Sequence, residues 1–423
     1  MASPPPSPPP LASIPIPDEL LEEIFLRLPT PDAVARASGA CTSFRRVIKG
    51  RAFRCRLRTL HRPPLLGFMD AAGFHPAQAP HPSAPLARAL ASCTADFSFV
   101  PAVVSSSSYL VPPGVQDDDG EGPRWRPCDV RDGRVLLVWT SLMLTKRERF
   151  NAAKLHLAVC DPLCSRYVLL PTIPQDLAAQ PQDLLREFQP VLAPCTGDDD
   201  GQEEPFKVIC IARYQTKLVL FVFPSTTMRW CMAESPIFPS LKHMSCFDCV
   251  RGCFYWTEPY GWSDHLMVLD TRTLRFSIVD NLTGYHAELS DLPDQRFGYR
   301  RANAVVMGRE GALEMFSLVC QHGSFALYHT SLQNNSQEWK LEKIIQLPGQ
   351  YHDYNISTVG AAEGFLFFRG APEGIHIGNV DSYSMEVKTY EITKVCTEMD
   401  NIYNPRRALP FFSFPPLLSE PTI

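Results

Sequence analysis

Apolar residues recur every three or four positions from Leu20 to Ile48, and beyond Pro64 they settle into short runs separated by turn residues. The first pattern predicts helices and the second predicts strands. Leu20, Leu21, Ile24, Phe25 and Leu28 share one broad arc of a first helix, opposite Glu19, Glu22, Glu23 and Arg27. Leu26 falls among the glutamates at about 100° per residue, where so small a helical module has nothing of its own to cover it, and it is a candidate partner contact. Pro17 opens this helix with Asp18 and Glu19 in its first turn, Leu28-Pro29 closes it, and Thr30-Pro31 opens the next. Val34, Ala37, Ser38 and Cys41 then form a narrow stripe of small residues, weakened locally by Gly39. Phe44, Val47 and Ile48 make a third stripe, and Lys49-Gly50 reads as a cationic last turn with a C′ glycine. A core this small rarely supplies more than about 3 to 5 kcal/mol, so burial against another protein is expected.

Phe53, Leu57 and Leu60 extend the helical pattern into a linker helix over 51–63, ended by Pro63-Pro64. Its arginines read as a solvated face, since no base-reading motif accompanies them. From residue 64 to 423 the runs RVLLVW, LHLAVC, KVICIA, KLVLFVF, CFYW, HLMVL and FLFF predict strands. A weak repeat sits on them: an apolar run, a turn, then an aromatic or apolar residue six positions on. Asp161 precedes Tyr167, Pro224 precedes Trp230, Asp270 precedes Phe276 and Asp381 precedes Val387, with a lengthened copy from Thr330 to Trp339. Upstream, Asp132-Gly133, Arg251-Gly252, Glu310-Gly311 and Glu363-Gly364 place turn glycines before strands. The spacing of roughly 50 residues fits propeller blades, and the aspartates suit turn starts, where a carboxylate accepts backbone N–H groups. The predicted fold is mainly β with a small α N-terminal module: three helices, then a six- to seven-bladed β-propeller.

Composition adds limits. With 423 residues, 45% of them hydrophobic, the chain has material for a large core, and a formal charge of −5 gives no general drive toward nucleic acid or an anionic membrane. The proline-rich residues 1–15 read as a disordered arm without a signal peptide's basic start and apolar core, and no run approaches a membrane span, so an intracellular place in cytoplasm or nucleus is expected. The fourteen cysteines are scattered and read as reduced. His243, Cys246, Cys249 and Cys253 have zinc-like spacing, but CFDCVRGCFYW reads as two strands that would distribute the thiols over pleat faces, so buried core thiols are preferred and neither metal nor cofactor is expected. No nucleophile elbow, P-loop, GxGxxG, HExxH or paired Cys-x-x-Cys set occurs, and the chain reads as non-catalytic. Glu258, Asp264 and His265 in EPYGWSDH keep a propeller hydrolase as an alternative, beside a propeller that serves only as an interaction scaffold.

The N-terminal residues resemble an F-box, the helical motif that docks onto the Skp-type adaptor of cullin-based ubiquitin ligases. Ile16-Pro17 stands for the family's opening leucine-proline, Leu20 and Leu21 for its first-helix leucines, and Leu28-Pro29 for its break. Val34, Ala35, Ala37 and Ser38 match its small-residue helix and Cys41 its cysteine, while Phe44 stands where tryptophan is usual. DGRVLL, LAVCDPLCSRYVLLP and RGCFYW resemble the F-box-associated, kelch-like propeller regions of plant F-box proteins. The resemblance implies an F-box over 16–50 and a propeller over 64–423 that holds an unknown protein substrate for ubiquitin transfer. Pro17, Leu20, Leu21, Ile24, Leu26, Leu28, Pro29, Val34, Ala37, Ser38, Cys41 and Phe44 would carry adaptor docking or the packing behind it.

Overall fold

A computed structural model describes residues 16–70, 72–94, 97–103, 124–140, 155–178, 185–193, 206–235, 247–256, 265–280, 303–308, 312–321, 324–332, 339–349, 354–372, 374, 377–401, 408–415 and 418. The chain forms two compact units, one of Met1–Pro64 with Phe414–Glu420 and one of Leu65–Ser413 with Pro421–Ile423.

The first unit contains α1 (Asp18–Leu26), α2 (Pro31–Ala40), α3 (Thr42–Lys49) and α4 (Arg51–Leu60). Pro17 is the N-cap of α1, and Thr30 caps α2 by accepting from Ala33 N at 3.2 Å, with Pro31 in the first turn. Cys41 lies outside α2 in extended conformation; its Sγ caps α3 by accepting from Phe44 N at 3.5 Å. The small-residue stripe therefore ends one turn earlier than its spacing suggested. Gly50 has φ −59° and ψ 137°, ordinary extended backbone, and joins α3 to α4 directly instead of ending α3 in a left-handed turn. The core holds Leu21, Phe25, Leu26, Val34, Ile48, Phe53 and Leu57, and it is completed by Phe414 and Leu418 from beyond the last strand. Phe25 meets Phe44 and Phe53 edge-on, with ring centroids 5.0 and 6.4 Å apart. Phe53 and Leu57 are buried as their spacing predicts, whereas Leu60 is exposed.

The second unit is a six-bladed β-propeller. Five blades are four-stranded meanders in chain order: β3 (Arg124–Arg131), β4 (Arg134–Thr140), β5 (Leu157–Asp161) and β6 (Arg166–Leu169); β7 (Leu185–Ala193), β8 (Lys207–Tyr214), β9 (Leu218–Pro224) and β10 (Cys231–Ser235); β11 (Phe247–Val250), β12 (Cys253–Trp256), β13 (His265–Asp270) and β14 (Arg275–Asp280); β15 (Asn303–Met307), β16 (Leu313–Gln321), β17 (Ser324–Leu332) and β18 (Trp339–Gln346); β19 (Tyr354–Ala362), β20 (Phe365–Pro372), β21 (Ile377–Glu386) and β22 (Ile392–Asn401). The remaining blade closes the ring by pairing β1 (Leu65–Asp70) with β2 (Gly73–Pro76) on one side and with the C-terminal β23 (Leu409–Phe412) on the other. Helix α5 (Ala84–Thr94) follows β2, and α6 (Gln175–Ala178) lies between β6 and β7. Gly67 has φ +149°, and a Cβ there would strike the carbonyl of His75 on the paired strand, so the closing hairpin needs glycine at that point.

The middle strands read as unbroken apolar runs because both blade faces are covered. In β8, Val208, Cys210 and Ala212 face the preceding blade while Ile209 and Ile211 face the following one. Such inter-blade cores run right round the ring, including the seams on either side of the closing blade.

The turn residues sit at recurring blade positions. Asp132-Gly133, Arg251-Gly252 and Glu363-Gly364 each join an inner strand to its neighbour with two successive positive φ values between 51° and 78°, while Glu310-Gly311 lies outside the described residues. Asp161, Pro224 and Asp270 each end a third strand, and the fourth residue after each (Ser165, Met228, Leu274) has positive φ. Asp270 Oδ1 accepts from Arg272 N at 2.8 Å, and Asp161 Oδ1 from Cys164 N at 3.2 Å. Two copies of the repeat need correction. Asp381 lies inside β21 opposite Thr397, and the equivalent turn starts at Glu386, four residues before Tyr390 with φ 61°. Thr330 lies inside β17, which runs on to Leu332. In both copies the third strand runs past the marked residue, β17 by two residues and β21 by five, so a fixed offset misses the strand ends.

Candidate functional site

Helix α1 divides its apolar residues between two directions. Leu21, Phe25 and Leu26 point into the core, while Leu20 and Ile24, one turn apart, are 56% and 50% exposed. Ile16, just ahead of the helix, is 52% exposed. The expectation for Leu26 is thus reversed: it is 5% exposed and belongs to the cluster that includes Phe53, Leu57, Phe414 and Leu418. Its carbonyl lies 3.1 Å from His61 Nε2. A helical wheel of α1 had no knowledge of α4 or the returning C-terminal residues, which cover the side it assigned to solvent. Arg46 pairs with Asp18 at 2.8 Å, and Arg56 with Glu22 at 2.9 Å and with Glu23, so part of the basic run neutralises α1's acidic face.

Inside the propeller, buried polar groups tie blades together. Asp129 Oδ2 accepts from Leu192 N at 2.8 Å while Arg131 Nε donates to Leu192 O at 2.9 Å, so one residue of β7 is held at both its amide and its carbonyl by β3. Asp248, at the matching position of β11, accepts from Val305 N at 2.7 Å and from Ala361 N at 2.9 Å, joining three blades. Both aspartates stand four residues before the turn glycine, in DVRDG and DCVRG, which is the signal that could have found them. His329 stacks on Phe316 with centroids 4.5 Å apart, and its Nε2 lies 2.9 Å from Glu314 Oε2 and its Nδ1 3.4 Å from the Tyr390 hydroxyl of the next blade.

At the seam between the closing blade and its predecessor, Asp70, His75 and Glu398 offer ligand atoms within 4.8 Å of one another. Their donor arithmetic opposes a cation. Asp70 Oδ1 already receives Ala72 N at 2.7 Å, Gly73 N at 3.1 Å and His75 Nε2 at 3.0 Å, and Glu398 Oε1 receives Arg369 Nη2 at 2.7 Å. His75 Nε2 also lies 3.2 Å from Glu398 Oε2. With His75 protonated, two cations balance two carboxylates. Burial works against charge on His75, but the Asp70 bond and the Glu398 carboxylate outweigh it and raise its pKa. Of the four residues with zinc-like spacing, His243 and Cys246 lie outside the described residues. Cys249 pairs with Phe254 and Cys253 with Val250 at adjacent register positions, so the thiols face opposite sides of the blade, and burial pushes both upward in pKa. Glu258 and Asp264 also lie outside the described residues, and His265 begins β13.

The helical geometry has a counterpart among known families, for residues 16–56 match the F-box domain. These residues are an F-box domain. The match runs past Gly50 into α4, in line with Phe53 lying in the same core as α1. None of the curated proteins matches the chain. Among solved structures, the propeller is similar to the Bombyx mori GH32 β-fructofuranosidase BmSUC1 (12% identity, 64% of each chain covered, TM-score 0.31). It is also similar to a K499G mutant of NanB sialidase from Streptococcus pneumoniae (9% identity, 68% of this chain and 62% of that one, TM-score 0.30) and to the Dos1 propeller (7% identity, 66% and 65%, TM-score 0.29). The chain spans less than two thirds of each of these proteins, and likeness at this distance carries no argument about what it acts on.

Within the F-box domain, Leu21, Leu26, Val34 and Ser38 are buried, Leu28, Ala37 and Phe44 are half-buried, and Pro17, Leu20, Ile24, Pro29 and Cys41 are exposed. Ser38 Oγ donates to Ala35 O at 2.6 Å, which satisfies its buried hydroxyl. Phe44 fills the tryptophan position as an internal packing residue against Phe25.

Proposed function

We propose that this chain is the substrate-recognition subunit of a Skp–cullin–F-box ubiquitin ligase, acting without catalysis of its own inside the cell. The F-box domain binds the Skp-type adaptor, and through it a cullin, while the propeller, of the kelch-like kind its sequence resembles, holds a protein substrate. The observation that carries this reading is the Ile16, Leu20 and Ile24 stripe, exposed on a unit whose other large apolar side chains are mostly buried among the described residues. Covering the exposed halves of Leu20 and Ile24 is worth about 2 to 3 kcal/mol together. Charges in the same place would cost several kcal/mol on docking.

The test is Leu20→Asp with Ile24→Asp in the full chain. Both side chains are half in solvent, so folding survives, and co-purified adaptor falls at least tenfold while helix content and the melting temperature stay at the parent's values. Undiminished adaptor capture refutes the assignment. Leu21→Asp is the wrong probe, because Leu21 is 5% exposed and its loss disrupts the core itself.

A further inference from the structure

The F-box core is assembled from two ends of the chain. Phe414 and Leu418 are 6% and 0% exposed, and they pack in the cluster of Leu21, Phe25 and Leu26, the buried side of the helix whose other side carries Leu20 and Ile24. Leu418 N donates to Pro415 O at 2.8 Å, and Phe414 and Leu418 share the same core. In chain order only Ser413 separates Phe414 from Phe412, the last residue of β23, the strand that closes the propeller. A helical module of this size has little core to spare, and removing a large buried side chain leaves a cavity that short helices relieve by opening locally.

We infer that Phe414 and Leu418 are positioning residues for the docking face of α1. The segment after the closing strand sets the helix from behind, so the F-box domain reaches its docking conformation only in a chain carried through its last blade. A chain interrupted before residue 414 would hold every residue of the matched F-box segment and still present a loosened α1. This inference rests on the adaptor-docking reading for its consequence, but its physical core is measurable without any adaptor.

The experiment uses the full chain with Phe414→Ser and Leu418→Ser together, beside the conservative pair Phe414→Leu and Leu418→Met. Amide hydrogen exchange of the free protein reports α1 to α4 and, as an internal reference, strands β8 and β9. The expected result is exchange in α1 and α4 faster by at least tenfold in the serine pair, unchanged exchange in β8 and β9, and near-parent behaviour for the conservative pair. Adaptor capture should fall at least tenfold in the serine pair and return with the conservative one. Unchanged helix exchange overturns the inference, as does opening of β8 and β9 in step with the helices. Loosened helices with undiminished adaptor capture overturn the positioning role. If the parent itself captures no adaptor, the docking proposal fails, and the exchange data still decide whether these residues hold α1.

Discussion

The F-box unit and the propeller solve the same problem, covering apolar side chains, by opposite routes. The F-box unit has short helices whose starts and stops are written locally, but its core closes only with residues from the far end of the chain. Each full propeller blade is a meander of sequential neighbours, and cover comes from the next blade on either face. Local signals therefore fix the helices' boundaries but not their buried faces. In the blades the reverse holds: which residues are buried is plain from the sequence, while the polar ties between blades are not.

The sharpest way to break this contrast is to remove an inter-blade tie. Asp248→Ala strands two backbone amides, those of Val305 and Ala361, and should cost about 3 to 5 kcal/mol in denaturant unfolding. Asp129→Ala takes the carboxylate from the amide of Leu192 and should cost about 1 to 3 kcal/mol in the same measurement. Parent-like unfolding of either variant would mean that the blades do not depend on these carboxylates.

Two histidines at the closing blade give a smaller effect that depends on pH. His81 is buried, its Nδ1 accepts from Ser83 N, and burial pushes its pKa down to about 4. The unfolded chain binds a proton there near 6.5 while the folded chain does not, so His81 costs stability as pH falls from 6.5 toward 4, on the order of 2 to 3 kcal/mol. His75 has the opposite sign. Its folded pKa lies above the unfolded value, so its stabilisation is full below about 6.5 and is lost as pH rises through the folded pKa. Thermal unfolding of His75→Gln should therefore lose stability at pH 6 relative to the parent and converge with it at higher pH, whereas His81→Gln should flatten the loss between 6.5 and 4. A His75→Gln deficit that does not shrink as pH rises would show that the Asp70 and Glu398 pairing is not a charged lock. The smallest effect belongs to the F-box surface. Arg46→Ala breaks an exposed pair with Asp18 and should change stability by no more than about 0.5 kcal/mol, which a urea titration would bound.

By itself the sequence determined the helix punctuation at Pro17, Leu28-Pro29 and Thr30-Pro31, the propeller class, and the turn pairs at 132, 251 and 363. Each is set by backbone preferences that act within a few residues, so neighbouring letters suffice. Only the tertiary structure decided that Leu26 is core while Leu20 and Ile24 face outward, that β17 and β21 run on past Thr330 and Asp381, and that Asp248 serves amides in two other blades. Those outcomes depend on which distant segment arrives to cover a face or donate a hydrogen bond, and no periodicity in α1 announces Phe414 and Leu418.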